Sequence, residues 1–261
     1  MNDQKDADIP NPFPVVRVDV PLMAPFTWLK LGFNDLVACK FASLFYGICF
    51  AAVGGLLLLA FRHATQLVTA VTTGFMLVGP FFAIGLYELS RLRERGETPL
   101  LSATLAVWRR NISGIGIYSL IVIVLYLVWA RASLVIFALF YQGGIPTMSS
   151  FIAEISRFDN FEFLLAYLAV GAFFAGLVFA FSVVSIPMML DRNQDTVTAM
   201  IASFLALVRN FPTLLVWGAL IALMVAIGIA TLFVGLIVTM PVVGHATWHA
   251  YRALIEPVNT Q

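Results

Sequence analysis

The sequence predicts an all-α polytopic membrane protein. It has six transmembrane helices, built as three repeats of an interfacial amphipathic helix followed by a transmembrane hairpin. Three observations carry this expectation. The 261 residues are 61% apolar and 11% charged, with a mean hydropathy of +0.95, whereas soluble domains average roughly 45–50% apolar and about 25% charged. The uncharged runs divide into six segments, each close to the about 20 residues a helix needs to cross the hydrocarbon core. The basic residues fall mostly on one side of those segments, as cytoplasmic loops require.

Residues 1–25 are a polar tail rich in Asp and Pro. They do not read as a cleavable signal peptide, so the spans themselves are expected to drive insertion. The membrane domain, 26–252, carries spans at about 41–61, 66–88, 112–130, 163–190, 211–229 and 231–251. The run 211–251 has no Asp, Glu, Lys or Arg. At ~1.5 Å per residue it reaches about twice the core thickness, so it divides into two spans with a tight turn near 228–231. Residues 131–162 read as an outer loop with short helices, because Gly143, Gly144 and Pro146 interrupt the apolar pattern. Within it "SLVIFALFY" (133–141) is an extension of the third span or an interfacial helix, and 149–158 has helical spacing with Ser at the N-cap. Residues 253–261 form a C-terminal tail.

Six spans leave Arg62, Arg131 and Arg157 on one side and the other twelve of the fifteen Lys and Arg on the opposite side. That bias places both termini in the cytoplasm. A formal net charge of +1 gives no argument for nucleic acid as a partner. The bilayer is the expected partner. Cys39 and Cys49, without a CxxC spacing, are expected as free thiols.

The repeat is visible as text. "DTVTAMIASFLALVRNFPTLLVWGALIAL" (from Asp195) aligned with "GETPLLSATLAVWRRNISGIGIYSLIVIV" (from Gly96) superposes Arg209-Asn210 on Arg110-Asn111. "FTWLKLGFNDLVACKF" (26–41) plays the same part before the first span. The closing ends repeat as well. "PFFAIGLYELSR" (80–91) and "PVVGHATWHAYR" (241–252) have equal length, matching Ile84 to His245, Glu88 to His249 and Arg91 to Arg252. The middle unit departs, with "MMLDR" after Pro187.

The candidate site residues are the polar groups at these closing ends: Glu88, Arg91, Asp191, Arg192, His245, His249 and Arg252. His245 and His249 lie one helical turn apart on one face. An HxxxH pair of that kind binds zinc or copper when further ligands join it, and Glu88 and Asp191 end neighbouring spans on the same side. A metal or haem is therefore one reading of the pair. The plainer reading is hydrogen bonding among helix ends, His249 to Glu88 above all. Pro80, Pro187 and Pro241 are expected to kink three spans near their cytoplasmic ends, either for packing or around a vestibule. The span cores hold no Asp, Glu, Lys or Arg, which argues against ion- or proton-coupled transport. "GFND" and "GETP" stand in no catalytic context, and there is no triad, phosphate loop or Gly-x-Ser-x-Gly. The residues thus speak against an enzyme.

"WLKLGFNDL" (28–36), "GPFFAIGLYELSR" (79–91), "SIPMMLDRN" (185–193) and "PVVGHATWHAYR" together resemble a family of uncharacterised bacterial integral membrane proteins catalogued as a domain of unknown function (DUF2189). Some members are labelled putative cytochrome c oxidase subunit. The resemblance implies fold and membrane location. Because the intramembrane histidines of a catalytic oxidase subunit are missing, an accessory or assembly role beside a respiratory complex is what that label implies here. The alternatives are a transporter or channel for a neutral or lipid-like molecule, and metal or haem handling through His245 and His249.

Overall fold

The computed structural model describes residues 14–63, 68–140 and 161–257. They form α1 (Ala24–Ala38), α2 (Lys40–His63), α3 (Val68–Glu94), α4 (Leu101–Thr104), a 3-10 helix (Val107–Asn111), α5 (Ile112–Phe140), α6 (Phe161–Ser182), α7 (Ser185–Arg192), α8 (Thr196–Arg209), α9 (Phe211–Ala230) and α10 (Leu236–Leu254). One isolated β-bridge joins Val16 to Ile255.

Four stretches among the described residues are long and apolar enough to cross a membrane: Lys40–Ala60, Leu101–Phe140, Phe161–Arg192 and Phe211–Ala230. They fall on α2, on α4 to α5, on α6 to α7 and on α9. The expected spans at 66–88 and 231–251 fall on α3 and α10, which are helical but differ in surroundings. Residues 84–92 of α3 and 241–248 of α10 are enclosed by protein. These halves carry Glu88, Arg91 and His245, whose polar atoms need partners that acyl chains cannot give.

Several boundaries move. α5 runs without a break past Arg131, so residues 131–140, expected in the outer loop, extend the third span. At ~1.5 Å per residue its length is about 43 Å, beyond the ~30 Å core. The helix expected at 149–158 lies outside the described residues, as does most of the N-terminal tail. The amphipathic helix expected before the third span is instead the short α4 followed by the 3-10 helix. The fourth expected span is interrupted: a turn at Val183-Val184 separates α6 from α7. Pro187 therefore sits in the first turn of α7, where its missing N–H costs no helical bond. Pro80 and Pro241 lie inside α3 and α10.

The turn between α9 and α10 falls at 231–235, just after the expected place. Leu232 and Phe233 take left-handed φ values of 52° and 67°. Phe233 N–H closes α9 on the Gly228 carbonyl at 3.0 Å, and Gly235 N–H donates to Thr231 Oγ1 at 2.8 Å.

The short helices follow one packing rule. α1 packs on α10, α4 and the 3-10 helix pack on α3, and α8 packs on α6 and α7. The ends of α3, α7 and α10 meet one another at the centre, where Ile84, Leu89, Met188, Met189, Trp248 and Tyr251 are fully buried. α1 crosses α10 so closely that a Cβ on Gly32 would lie 2.6 Å from Ala246 N and 2.7 Å from Val242 O. Only a residue without a side chain fits there.

Two asparagines tie helix starts to the next segment. Asn111 Nδ2 donates to the Gln194 carbonyl at 2.9 Å, ahead of α8, and Thr196 Oγ1 donates to Gly114 O at 2.9 Å. Asn210 Nδ2 donates to Arg17 O at 2.9 Å while its Oδ1 accepts Val20 N–H at 3.0 Å, ahead of α1. Thr213 Oγ1 donates to Val20 O at 2.8 Å. Residues 15–20 thus form a strap, also held to the C-terminus by Arg17 N–H to Leu254 O at 2.8 Å.

Candidate functional site

The close crossing at Gly32 sets the position of Asp35, one turn further along α1. Trp28, Gly32, Asp35 and Leu36 share the buried face of α1, so the carboxylate enters the protein with the apolar stripe. It meets α3 and α10 there. Asp35 Oδ2 accepts from Ser90 Oγ at 2.6 Å and from His249 Nε2 at 2.9 Å. Its Oδ1 accepts from Arg93. Burial pushes the Asp35 carboxyl up, but the hydrogen bonds from His249 and Ser90 and the nearby imidazoles outweigh it and hold it below its ordinary value.

His245 completes the network. Ser90 Oγ lies 2.7 Å from its Nδ1, and Ser43 Oγ lies 2.8 Å from its Nε2. Ser90 has one hydroxyl proton and gives it to Asp35, so Nδ1–H of His245 must donate to Ser90. A neutral ring then accepts the Ser43 hydroxyl proton at Nε2. The chain of donors runs one way: Ser43 to His245 to Ser90 to Asp35. It links α2, α10, α3 and α1, and every polar side-chain atom in it has a partner.

That order of bonds is the order of a nucleophile, a base and its orienting acid, with a serine inserted. Access decides against chemistry in this conformation. Ser43, His245 and Ser90 are 0–1% exposed, and an attacking hydroxyl needs room for a carbonyl carbon at about 3 Å. What the arrangement can do is hold four helices in register, since unmaking any one bond leaves a buried polar group unpaired.

The seven residues expected to converge are divided among three clusters. His245 and His249 join Asp35, as above. Glu88 is not the partner of His249: it accepts from Arg91 Nε at 2.6 Å and Arg91 Nη2 at 2.7 Å, and from Arg110 Nη1 at 3.2 Å. Its one-turn spacing from Arg91 satisfies the pair within α3, and the crossing of α1 presents a nearer carboxylate to His249. The third cluster gathers Asp191, Arg192 and Arg252 around Tyr251. Tyr251 donates to Asp191 Oδ2 at 2.8 Å and accepts from Arg192 Nε at 2.9 Å. Arg252 bonds Glu94 at 3.0 Å and lies 3.7 Å from Asp191, and Trp248 Nε1 donates to Glu94 at 2.9 Å.

A metal fits this donor set poorly. Both ring nitrogens of His245 already hold serine hydroxyls, and the His249 nitrogen that faces Asp35 is its hydrogen-bond donor. Among the described residues no group of three or more His, Cys, Asp and Glu side chains is arranged to hold a metal ion. The vestibule suggested by the three prolines is filled with side chains where the ends meet: a Cβ on Gly244 would come within 2.6 Å of Leu86 Cδ1, and Pro187 and Pro241 are buried. Cys39 and Cys49 are free thiols.

Asp35, Ser43 and Ser90 were not singled out from the sequence. Asp35 left a trace, since it is the one carboxylate on the Trp28–Gly32–Leu36 stripe. The serines left none, because a serine at an apolar helix end ordinarily bonds its own backbone.

Residues 67–191 match the family model DUF2189, described as a predicted integral membrane protein, the family that the sequence resembles. Of the Asp35 network, only Ser90 and Arg93 lie within the match. No curated protein and no solved structure matches the chain.

Proposed function

We propose that this integral membrane protein is a non-enzymatic accessory or assembly protein of the bacterial inner membrane, with six spans, three repeated units and both termini in the cytoplasm. The observation that carries the non-enzymatic reading is the enclosure of the Ser43–His245–Ser90–Asp35 chain. These buried polar groups clamp α1, α2, α3 and α10 together. Among the described residues the apolar lengths of α5 and α6, by contrast, are little covered, with 11% of each stretch buried, and so face lipid or the helices of a partner.

The packing rule supports three units closed into a ring. Each opening helix rests on the closing helix of the unit before it, and α1 of the first unit rests on α10 of the last. Asn111 and Asn210 make corresponding ties to the start of the following unit. The Asp35–His249 contact is then the seam where the ring closes. The basic residues near the ends of α3, α7 and α10 support a cytoplasmic position for that end.

Respiratory subunits are the partner class the family label implies. Purification in a mild detergent followed by native mass spectrometry tests the proposal. A hetero-oligomer of fixed stoichiometry is expected. A chain that always migrates alone overturns the accessory reading, and turnover of an ester or amide lost in Ser43→Ala overturns the non-enzymatic one.

A further inference from the structure

The two best-formed opening helices, α1 and α8, differ in what they expose. α1 has three faces. Its buried face carries Trp28, Gly32, Asp35 and Leu36. A second face exposes the apolar Phe26, Phe33 and Val37. A third exposes the polar Thr27, Lys30 and Asn34, with Leu31 at its edge. Such a helix lies at the membrane surface, with one side to protein, one to acyl chains and one to water.

α8 has only two faces. Inward it buries Thr196, Ala199, Ala202, Ser203 and Ala206. Outward it exposes Val197, Ile201, Phe204, Leu205 and Val208, a stripe at i, i+4, i+7, i+8 and i+11. The exposed polar groups that border this stripe stand at the helix ends, Asp195 before it and Arg209 at its last residue. The small residues, which let helices approach in a membrane, all face inward, toward α6 and α7 above all. What remains outside is large and branched, and it continues onto α9 through Phe211 and Leu215, exposed residues at the start of an apolar helix long enough to cross a bilayer.

We infer that the outer face of α8 is immersed in the acyl chains of the cytoplasmic leaflet, whereas α1 lies at the water boundary. This rests on the six-span reading only for which leaflet is meant, because the contrast between the two helices holds for either orientation. Fourteen residues at ~1.5 Å give about 21 Å, too short to cross, so α8 would serve as a wedge in one leaflet.

The test uses the full chain with Cys39 and Cys49 replaced by Ala. Single cysteines replace Ile201, Phe204 or Val208 in α8 and Thr27, Lys30 or Asn34 in α1. Each is labelled with bimane and reconstituted in phosphatidylcholine vesicles, with or without brominated acyl chains. Three positions per helix guard against one variant that does not fold, and only variants eluting as the parent does are read. Brominated chains are expected to quench the α8 labels at least twofold more than the α1 labels, and aqueous iodide the reverse. Iodide quenching of α8 equal to that of α1 overturns the inference. So does an α8 face quenched by neither, which would mean that a second copy or another protein covers it. Loss of partners in the mass-spectrometry experiment leaves this result untouched, so the two proposals fail separately.

Discussion

His249 of α10 donates to Asp35 of α1 across 2.9 Å, although the residues lie far apart in the chain and on helices of different units. The bond exists because α1 crosses α10 at Gly32 without a side chain between them.

Asp35→Asn removes the charge that pairs with Arg93 and leaves an amide N–H₂ facing at least one donor. Breaking a buried pair costs about 3–5 kcal/mol. Arg93 is 40% exposed and recovers hydration, so the expected loss is about 2 kcal/mol. Thermal unfolding in detergent measures it, and an unchanged melting temperature would refute the role given to Asp35.

The acid limb of stability follows from the same residue. Its folded pKa lies below the ordinary carboxylate value. The stabilisation is therefore complete above that ordinary value, near pH 4, and is lost as pH falls through the folded pKa. Between pH 7 and pH 5 Asp35 contributes a constant amount. In Asp35→Asn the drop below about pH 4 becomes shallower. Equal acid limbs for the two proteins would count against the assignment.

His245→Phe takes the acceptor from the Ser43 hydroxyl and the donor from Ser90 Oγ in a fully buried site, while Ser90 still donates to Asp35. Each orphaned group costs about 1–3 kcal/mol, so the variant is expected to lose roughly 2–5 kcal/mol. Adding Ser43→Ala to His245→Phe should recover part of the loss, because the hydroxyl then disappears together with its acceptor, whereas Ser90 is kept for Asp35. A double variant less stable than the single one would show that Ser43 matters for another reason.

Gly32→Val places side-chain carbon where the Ala246 amide and the Val242 carbonyl already stand. Overpacking of this kind costs about 1–3 kcal/mol, occasionally more. Because the crossing also sets Asp35, the variant should lose the Asp35-dependent acid limb as well as stability. A Gly32→Val protein whose acid limb matches the parent would separate the crossing from the network.

Purified protein is expected to bind neither zinc nor haem in stoichiometric amounts. Elemental analysis and an absorbance spectrum after gentle purification check this. One zinc per chain, or a Soret band that His245→Phe abolishes, would restore the metal reading of the histidine pair.

Asp35 also shows where sequence reading stops. The stripe of Trp28, Gly32 and Leu36 marks the inner face of α1 by its spacing alone, and a carboxylate on that stripe must find donors. Which donors it finds is not written locally. Glu88 stood opposite His249 in the aligned closing motifs, yet Arg91 was one turn away on the same helix and took it. The break between α6 and α7 was equally hidden, since "SVVSIPMML" reads as one apolar run and the turn at Val183-Val184 contains no glycine. The unbroken passage of α5 beyond Arg131 is likewise not decided locally, since the apolar run at 133–141 fits an extended span and a separate helix equally well.

Composition and charge, being local, marked this chain as a membrane protein, located its long apolar helices and pointed to the helix ends as the polar part of the molecule. Each of those properties depends on a stretch of about 20 residues meeting lipid or water. The tertiary structure alone decided the partners. It enclosed Ser43 and His245, gave His249 to Asp35, and turned α8 and α1 to different surroundings. The reason is geometric: hydrogen bonds act over about 3 Å, and that distance depends on how helices from opposite ends of the chain cross.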